Sequence, residues 1–489
     1  MKKGMLAPVG RRLSIQEFKL LLLDHVARKR PASVIRFNDG EGKLLGCGTR
    51  YLHAELMQML DRWFSDNKLT LDQLRRLQAG VADAVLNADV VGCPDPDWPV
   101  EFTKAVSVLT DLTRGKPRPT VLVNFPQAML LDGFFATLLG GIGFLGLVTP
   151  RDVRDVVRHM FAPVEMAWHR VPEQAVYAYR SQLPRHFPES FDFLCSRLEV
   201  PFTGAVFLVG AGPCGKIYCD VIKRRGGIAI DIGSVFDAWA GRLTRPDMSF
   251  EAVRGYYERF VSVPSPRIDH VLALAEIHQN AGDPGRSSDL LRMALKIHPG
   301  SVVLALKTAE CMLLLGDPLS ARGVYDALVQ PGGCTGPDMR AFARLFMTLG
   351  QPDAAREILV QAFQLDPTDP LMLRMALLLF TDAGTPVCGQ KSGFREDLRT
   401  AATLAAASCP DDHTLFFNLA RYLGAEGRVA EAASWGLRAI TLFPVQPEYY
   451  QPAIDWHVYL GEHGQAARLQ EQMARLDQPE EARAEALLG

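Results

Sequence analysis

Four Gly-x-Pro steps recur at one fixed interval in the second half of this chain. Gly282-Asp283-Pro284, Gly316-Asp317-Pro318, Gly350-Gln351-Pro352 and Gly384-Thr385-Pro386 each begin 34 residues after the one before. Glycine tolerates the left-handed backbone that ends a helix, and proline fits the first position of the next one. A second proline mark, at Pro299, Pro367 and Pro444, falls 17 residues after Gly282, Gly350 and Gly427. Between these marks small and large apolar residues alternate at helical spacing, as in Ala354, Ala355, Ile358, Leu359, Ala362 and Phe363. Small residues let paired helices approach and large ones fill the groove between them. A chain with this period cannot bury the apolar face of one unit alone, so the units must stack. The interval lengthens to 43 between Gly384 and Gly427, which places an insertion of about nine residues near Val387–Arg395.

The period and spacing resemble tetratricopeptide repeats over about Ile268–Asp477, although the family's tryptophan-leucine-glycine-tyrosine signature is mostly missing. The resemblance implies an all-α solenoid with a protein or peptide partner, or a surface used for homo-oligomerisation or for packing on the rest of the chain. Pro264 and Pro266 place a linker at 261–267, so the expected domains are 1–260 and 268–489.

Bulk properties narrow the function classes. A length of 489 residues calls for two or three domains, and 48% hydrophobic with 22% charged residues is a globular composition. A net charge of −2 leaves no basic excess for a nucleic-acid footprint. Nine cysteines are scattered without a Cys-x-x-Cys pair, which points to reduced thiols in a cytoplasmic protein. Ser14 and Glu17 read as a capping box opening a helix to about Arg30, and the short apolar run Leu20–Leu23 is not a signal peptide. The uncharged stretch Gly133–Val148 is shorter than the roughly 20 residues of a membrane span and reads as a buried helix, a glycine turn and a strand, so no transmembrane segment is expected.

The first half alternates helices with short apolar strands, the pattern of an α/β domain with a mostly parallel, Rossmann-like sheet. Candidate strands are Ser33–Phe37, Val90–Gly92, Thr120–Asn124, Phe144–Thr149, Ala205–Val209 and Ile228–Asp231. Such sheets bind ligands at the carboxyl ends of their strands. Two polar clusters follow strands. In Arg36-Phe37-Asn38-Asp39-Gly40-Glu41-Gly42, two carboxylates on a glycine-loosened turn can face one divalent cation, Mg²⁺ or Mn²⁺, and Arg36 can pair with phosphate; an ordinary solvated turn explains the same residues. The second cluster is Gly210-Ala211-Gly212-Pro213-Cys214-Gly215-Lys216, between a strand and a helix, with Asp231 ending the next strand 21 residues beyond Gly210. This Gly-x-Gly-x-x-Gly turn reads as a nucleotide or dinucleotide cradle, with Asp231 reaching a ribose hydroxyl, or as glycines needed for tight packing.

Together these two blocks resemble the GT-D-fold glycosyltransferases, whose Arg-Phe-Gly-Asp-Gly-Glu block, glycine turn, lysine-bearing helix and Asp-Ile-Gly strand end match here over roughly Leu13–Arg245. The sequence departs from the pattern at Asn38 and at Ser234. The resemblance implies transfer of a sugar from a nucleotide-sugar, commonly a UDP-sugar, to a glycan or protein acceptor. It implies Asp39 and Glu41 as the metal or donor pair and Arg36 with Asn38 at the donor. Gly210, Gly212, Gly215 and Lys216 would hold the distal loop, and Asp231, Gly233, Ser234 and Trp239 the opposite wall. Asp237 is the candidate general base, and Arg36 or Lys216 would neutralise the leaving diphosphate. Two other readings stand beside it: an NAD(P)- or S-adenosylmethionine-dependent enzyme using the glycine turn, and a non-catalytic adaptor in which the repeats do the binding. Other residues have bland readings as well: His159 and His169 as ordinary histidines, Pro94–Pro99 as a rigid loop, and Arg151 and Arg154 as either phosphate contacts or solvated charges.

Overall fold

The computed structural model describes residues 10–64, 69–95, 97–173, 186–242, 254, 257–258, 261, 266–329, 333–381 and 393–476. Their contacts form two units that part between 259 and 260. The Gly384-Thr385-Pro386 step, most of Val387–Arg395, and Pro264 of the linker lie outside the described residues.

The first unit is a seven-stranded, all-parallel sheet with helices. Its strands are β1 (Ala32–Arg36), β2 (Val90–Cys93), β3 (Thr120–Leu122), β4 (Phe144–Thr149), β5 (Glu165–Arg170), β6 (Val206–Val209) and β7 (Ile228–Asp231). They lie in the order β3-β2-β1-β7-β6-β4-β5. Val34 faces Val90 on one side and Ile230 on the other, and Leu208 faces Ile230 and Leu147 faces Leu208. These central strands are apolar and buried along their length, as strands covered on both faces must be. Strand β5 was not expected; it pairs only with β4 and is half exposed, so Glu-Met-Ala-Trp-His-Arg lacks the apolar run that marks the others.

Local chemistry explains the helices around this sheet. Ser14 and Glu17 close the capping box of helix Ile15–Ala27. Gly133–Val148 resolves into helix Phe134–Leu139, a glycine turn and β4, and among the described residues no helix is long and apolar enough to cross a membrane. Helix Gly212–Arg224 packs on helix Leu71–Asn87 through Gly80, where a Cβ would stand 2.7 Å from Ile217 Cδ1. The steps β1 to β2 and β6 to β7 run toward one edge of the sheet and β4 to β5 toward the other. The crossover direction therefore changes between β6 and β4, while the carboxyl ends of β1, β7 and β6 lie side by side.

The second unit consists of tetratricopeptide-type helix pairs. The first helices are Ile268–Asn280, Val302–Leu314, Gly336–Thr348, Pro370–Phe380, His413–Ala425 and Tyr450–Tyr459. Their partners are Pro284–Ile297, Pro318–Val329, Pro352–Leu365, Phe394–Ser408, Val429–Leu442 and His463–Leu476. Gly282, Gly316, Gly350 and Gly427 have φ between +75° and +80°. The residue after each glycine donates its N–H to a carbonyl five positions back, such as Asp283 to His278, Asp317 to Met312 and Gln351 to Phe346. This is the hydrogen-bond pattern that closes a helix on a left-handed glycine. Gly461 repeats it at φ +77°, 34 residues after Gly427 but without the proline. Leu291, Leu304, Tyr325, Phe342, Ile358, Leu359 and Leu415 fill the space between helices. Arg340 pairs with Asp369 and Arg374 with Asp412. Each aspartate also caps a first helix, accepting from Leu371 N–H and Leu415 N–H respectively, so one side chain starts a helix and ties it to the unit before.

Candidate functional site

Both polar clusters meet at the carboxyl ends of β1, β7 and β6. Arg36 ends β1, Asp231 ends β7, and Lys216 sits one turn into the helix that follows the glycine turn. Lys216 Nζ lies 2.7 Å from Glu41 Oε1 and 3.1 Å from Asp231 Oδ2, and donates to Gly212 O at 3.3 Å. Arg36 adds its backbone N–H to Asp231 Oδ2 and a guanidinium nitrogen to Oδ1, both at 3.3 Å. Glu41 Oε2 accepts from Asn38 N–H at 3.0 Å. The result is a balanced tetrad of two cations and two carboxylates. The Lys216, Asp231 and Glu41 side chains are all at least nine-tenths buried, and only Arg36, at 20% exposed, opens outward.

Burial and charge oppose each other here. Burial alone would raise the Asp231 carboxyl, but the Arg36 and Lys216 cations hold it below the usual carboxylate range. Burial works against the Lys216 ammonium, yet Asp231 and Glu41 hold it above its ordinary value despite Arg36. Lys216 has three protons and three acceptors, which leaves it none for a phosphate. Asp231 is 2% exposed and engaged by both cations, so it is not placed to reach a ribose.

The Asp-x-Glu pair is not on a turn. Asp39 begins helix Asp39–Leu45, and residues two apart on a helix face opposite ways. Asp39 turns outward and pairs with Lys43 at 3.2 Å, while Glu41 turns inward to Lys216. The two carboxylates therefore diverge and do not form a clamp for one cation. Among the described residues no group of three or more His, Cys, Asp or Glu side chains gathers that could hold a metal ion. Gly42 and Gly46 let this helix lie tight against Val100–Thr113: a Cβ on Gly42 would stand 2.9 Å from Ala105, and one on Gly46 2.4 Å from Val108.

Two glycines of the turn are required by close packing. A Cβ on Gly210 would meet Phe236 at 2.5 Å, and one on Gly212, at φ +56°, would meet the Trp63 indole at 1.8 Å. Gly210 N–H is committed to Val148 O and Gly215 N–H to Ala211 O. Gly233, at φ +48°, leaves room for the Arg36 guanidinium, 1.7 Å from where its Cβ would be. Trp239 does not line the site; it is 1% exposed and packs against Phe135, Phe161 and Phe236.

Asp237 belongs to a second ion network. Its Oδ1 accepts from Arg151 Nε at 2.8 Å. Arg151 is 7% exposed and also pairs with Glu173, which takes Arg242 at 2.6 Å. Arg151 is thus a buried, ion-paired arginine and not a solvated charge. It follows β4, next to the change in crossover direction. Arg154 pairs with Asp152 and lies over the Trp168 ring. Sequence reasoning passed over Trp63, Glu173 and Arg242; for Trp63 the usable signal was a tryptophan on an amphipathic helix with a large polar share.

Three polar atoms of the motif residues are buried without a partner: Arg36 Nε, Asn38 Oδ1 and Ser234 Oγ. Buried polar groups are normally satisfied, so this orphaned set on adjoining strand ends calls for a partner, a water, an ion or a ligand.

A family model described as tetratricopeptide repeat matches residues 395–447. No curated protein matches the chain. Among solved structures, a tetratricopeptide repeat protein from Parabacteroides merdae is 14% identical, with 43% of this chain and 80% of that one covered at a TM-score of 0.33. MamA from Desulfovibrio magneticus is 11% identical over 42% of this chain and 92% of its own, at a TM-score of 0.28. YrrB, described as a TPR protein with an unusual peptide-binding site, is 12% identical over 38% and 92%, at 0.29.

Proposed function

We propose that this chain is a partner-binding repeat protein, an adaptor whose tetratricopeptide units dock a protein or peptide. The observation that supports it is the regularity of the second unit. Helix pairs are stopped by the same left-handed glycine, and two successive steps are tied by like Arg–Asp contacts, a construction that presents one long surface rather than one enclosed pocket. In the first unit, Glu41, Lys216, Asp231 and Asp237 are engaged in ion pairs that hold strand ends together.

A second reading, glycosyl transfer from a nucleotide-sugar, is favoured by the orphaned atoms of Arg36, Asn38 and Ser234. In that reading Arg36, the exposed member of the tetrad, meets the donor diphosphate, and Asp39 contacts donor or acceptor from the helix start. Asp237 would need release from Arg151 to act as a base. The diverging Asp39 and Glu41 do not fit a protein-held Mn²⁺ or Mg²⁺, so no step is assigned to a metal.

Calorimetric titration of the full chain with UDP, UDP-sugars, NAD⁺ and S-adenosylmethionine, with and without Mn²⁺, separates the readings. Silence with every ligand is the adaptor outcome. UDP or UDP-sugar binding that weakens about tenfold or more in Arg36→Ala would replace it with the transferase. NAD⁺ or S-adenosylmethionine binding would exclude both.

A further inference from the structure

The second unit holds an open cleft of about 400 Å³ bordered by three consecutive helices, Pro284–Ile297, Val302–Leu314 and Pro318–Val329. Arg292 and Lys296 line it from the first helix, Met312 from the middle one, and Gly323, Val324 and Leu328 from the third. Two of the three helices are second helices of their pairs. This cleft is therefore distinct from the face where Arg340 and Arg374 of the first helices lie.

Gly323 is the informative residue. It lies inside a helix, where glycine is the weakest ordinary residue because it leaves the backbone most free. Its φ is not in the left-handed region, and a Cβ built there would meet nothing within 4 Å. Neither backbone strain nor close packing within the chain requires glycine at this position. The corresponding positions of other second helices carry Asp289, Glu357 and Ser434. A side chain at position 323 would instead occupy the cleft.

Charge supplies the other half of the argument. On the first helices, the Arg340, Arg374 and Lys307 cations are neutralised by Asp369, Asp412 and Glu310. Arg292 and Lys296 make no ion pair among the described residues. Asp317, whose carboxylate accepts from Ser320 N–H, feels the Arg292 charge without bonding to it. Among the described residues no carboxylate lines the cleft. The same two outer helices expose Ile297 at 40% and Leu319 at 84%. An anionic, apolar occupant matches both features.

We propose that this cleft binds an acidic, apolar peptide segment of a partner protein, seating an apolar side chain over Gly323 and a neighbouring carboxylate on Arg292 and Lys296. The proposal rests on the reading of the repeats as partner-binding and gives that partner a chemistry. The volume suits one or two large side chains, at the small end of ligand-sized pockets.

The test is fluorescence anisotropy of the full chain with a labelled peptide alternating Glu and Leu, against a control alternating Lys and Leu. The Glu–Leu peptide should bind, weaken with added salt, and outcompete the control. Arg292→Glu with Lys296→Glu should weaken it at least about tenfold. Gly323→Leu, whose Cβ meets no protein atom within 4 Å, should do the same without lowering the thermal midpoint. Equal binding of both peptides, or no binding of either, would overturn the proposal. Binding of the Glu–Leu peptide that is unchanged in Gly323→Leu would also overturn it, and would leave the repeats binding partners on another face.

Discussion

The two units hold charge in opposite ways. In the sheet unit, Lys216 joins Glu41 and Asp231, residues 175 positions before it and 15 after it, and all three side chains are buried. In the repeat unit, Arg340 reaches Asp369 and Arg374 reaches Asp412, neighbours in the next repeat, with the arginines 19% and 15% exposed. The first arrangement exists only when strands from distant parts of the chain are already aligned. The second can form pair by pair as the array grows. A fully buried charge that loses its partner has no water to fall back on, whereas one that keeps some exposure does.

The largest expected effect tests that difference. Lys216→Met leaves Glu41 and Asp231 buried without their cation and should destabilise the sheet unit by about 3–5 kcal/mol. Arg374→Met should cost the repeats about 1.5–3 kcal/mol, the range for a hydrogen bond to a charged group. Urea unfolding followed by two probes, the Trp239 cluster and a label in the repeats, reads the two units separately. Adding Glu41→Leu to Lys216→Met should restore part of the loss, because one unpaired carboxylate is removed. Equal costs in the two units would show that the tetrad is no more demanding than the ladder.

Thiols sharpen the same contrast at alkaline pH. The eight cysteines among the described residues are free. Burial raises Cys214 and Cys219 in the sheet unit, and pushes Cys195 up to about 11. In the repeats Cys311 is also raised, mainly by burial. A folded value above the unfolded one means the stability is fully present below the unfolded thiol value of about 8.5. It is then lost as pH rises through the folded value, because the unfolded chain releases the proton first. One unit above the unfolded value, each fully buried thiol contributes a loss on the order of 1 kcal/mol. The sheet unit should therefore lose about 2–3 kcal/mol between pH 8 and 9.5, and the repeats markedly less. Denaturant melts at the two pH values check this, and equal losses would mean that the thiols do not set the difference.

The repeat unit was legible in the sequence because its constraints are local. A left-handed glycine and the helix start after it need only a few neighbouring residues, so the 34-residue mark survives in the sequence. Even Gly461, which lacks the proline, keeps the interval. Six of the seven sheet strands were legible too, as apolar runs, and the half-exposed β5 was not. The site was legible as a location: Arg36, Glu41, Lys216 and Asp231 do meet. It was not legible as chemistry. Nothing near Glu41 says that its partner is Lys216, and nothing near Asp237 says that Arg151 will hold it. Trp239 follows Asp-Ile-Gly as a wall residue would, yet three aromatic rings from elsewhere make it core. Asp39 and Glu41 look paired in a turn and diverge because the segment is a helix, packed through Gly42 and Gly46 against Val100–Thr113.

Two glycines carry that lesson to a measurement. Gly212 and Gly316 both have positive φ, +56° and +78°, and each stands at a helix boundary. A sequence reading treats them alike. Around Gly316 a Cβ meets nothing within 4 Å, so Gly316→Ala adds only the strain of a left-handed alanine, about 1 kcal/mol. At Gly212 the same methyl meets the Trp63 indole, so Gly212→Ala adds overpacking and should cost about 2–3 kcal/mol in total. Replacing Trp63 by leucine in the Gly212→Ala background should bring that cost down toward the Gly316 value, since the strain remains and the collision does not. Thermal melts of the three variants read the outcome. If Gly212→Ala costs no more than Gly316→Ala, Trp63 is free to move aside, and the glycine turn is open to a ligand after all.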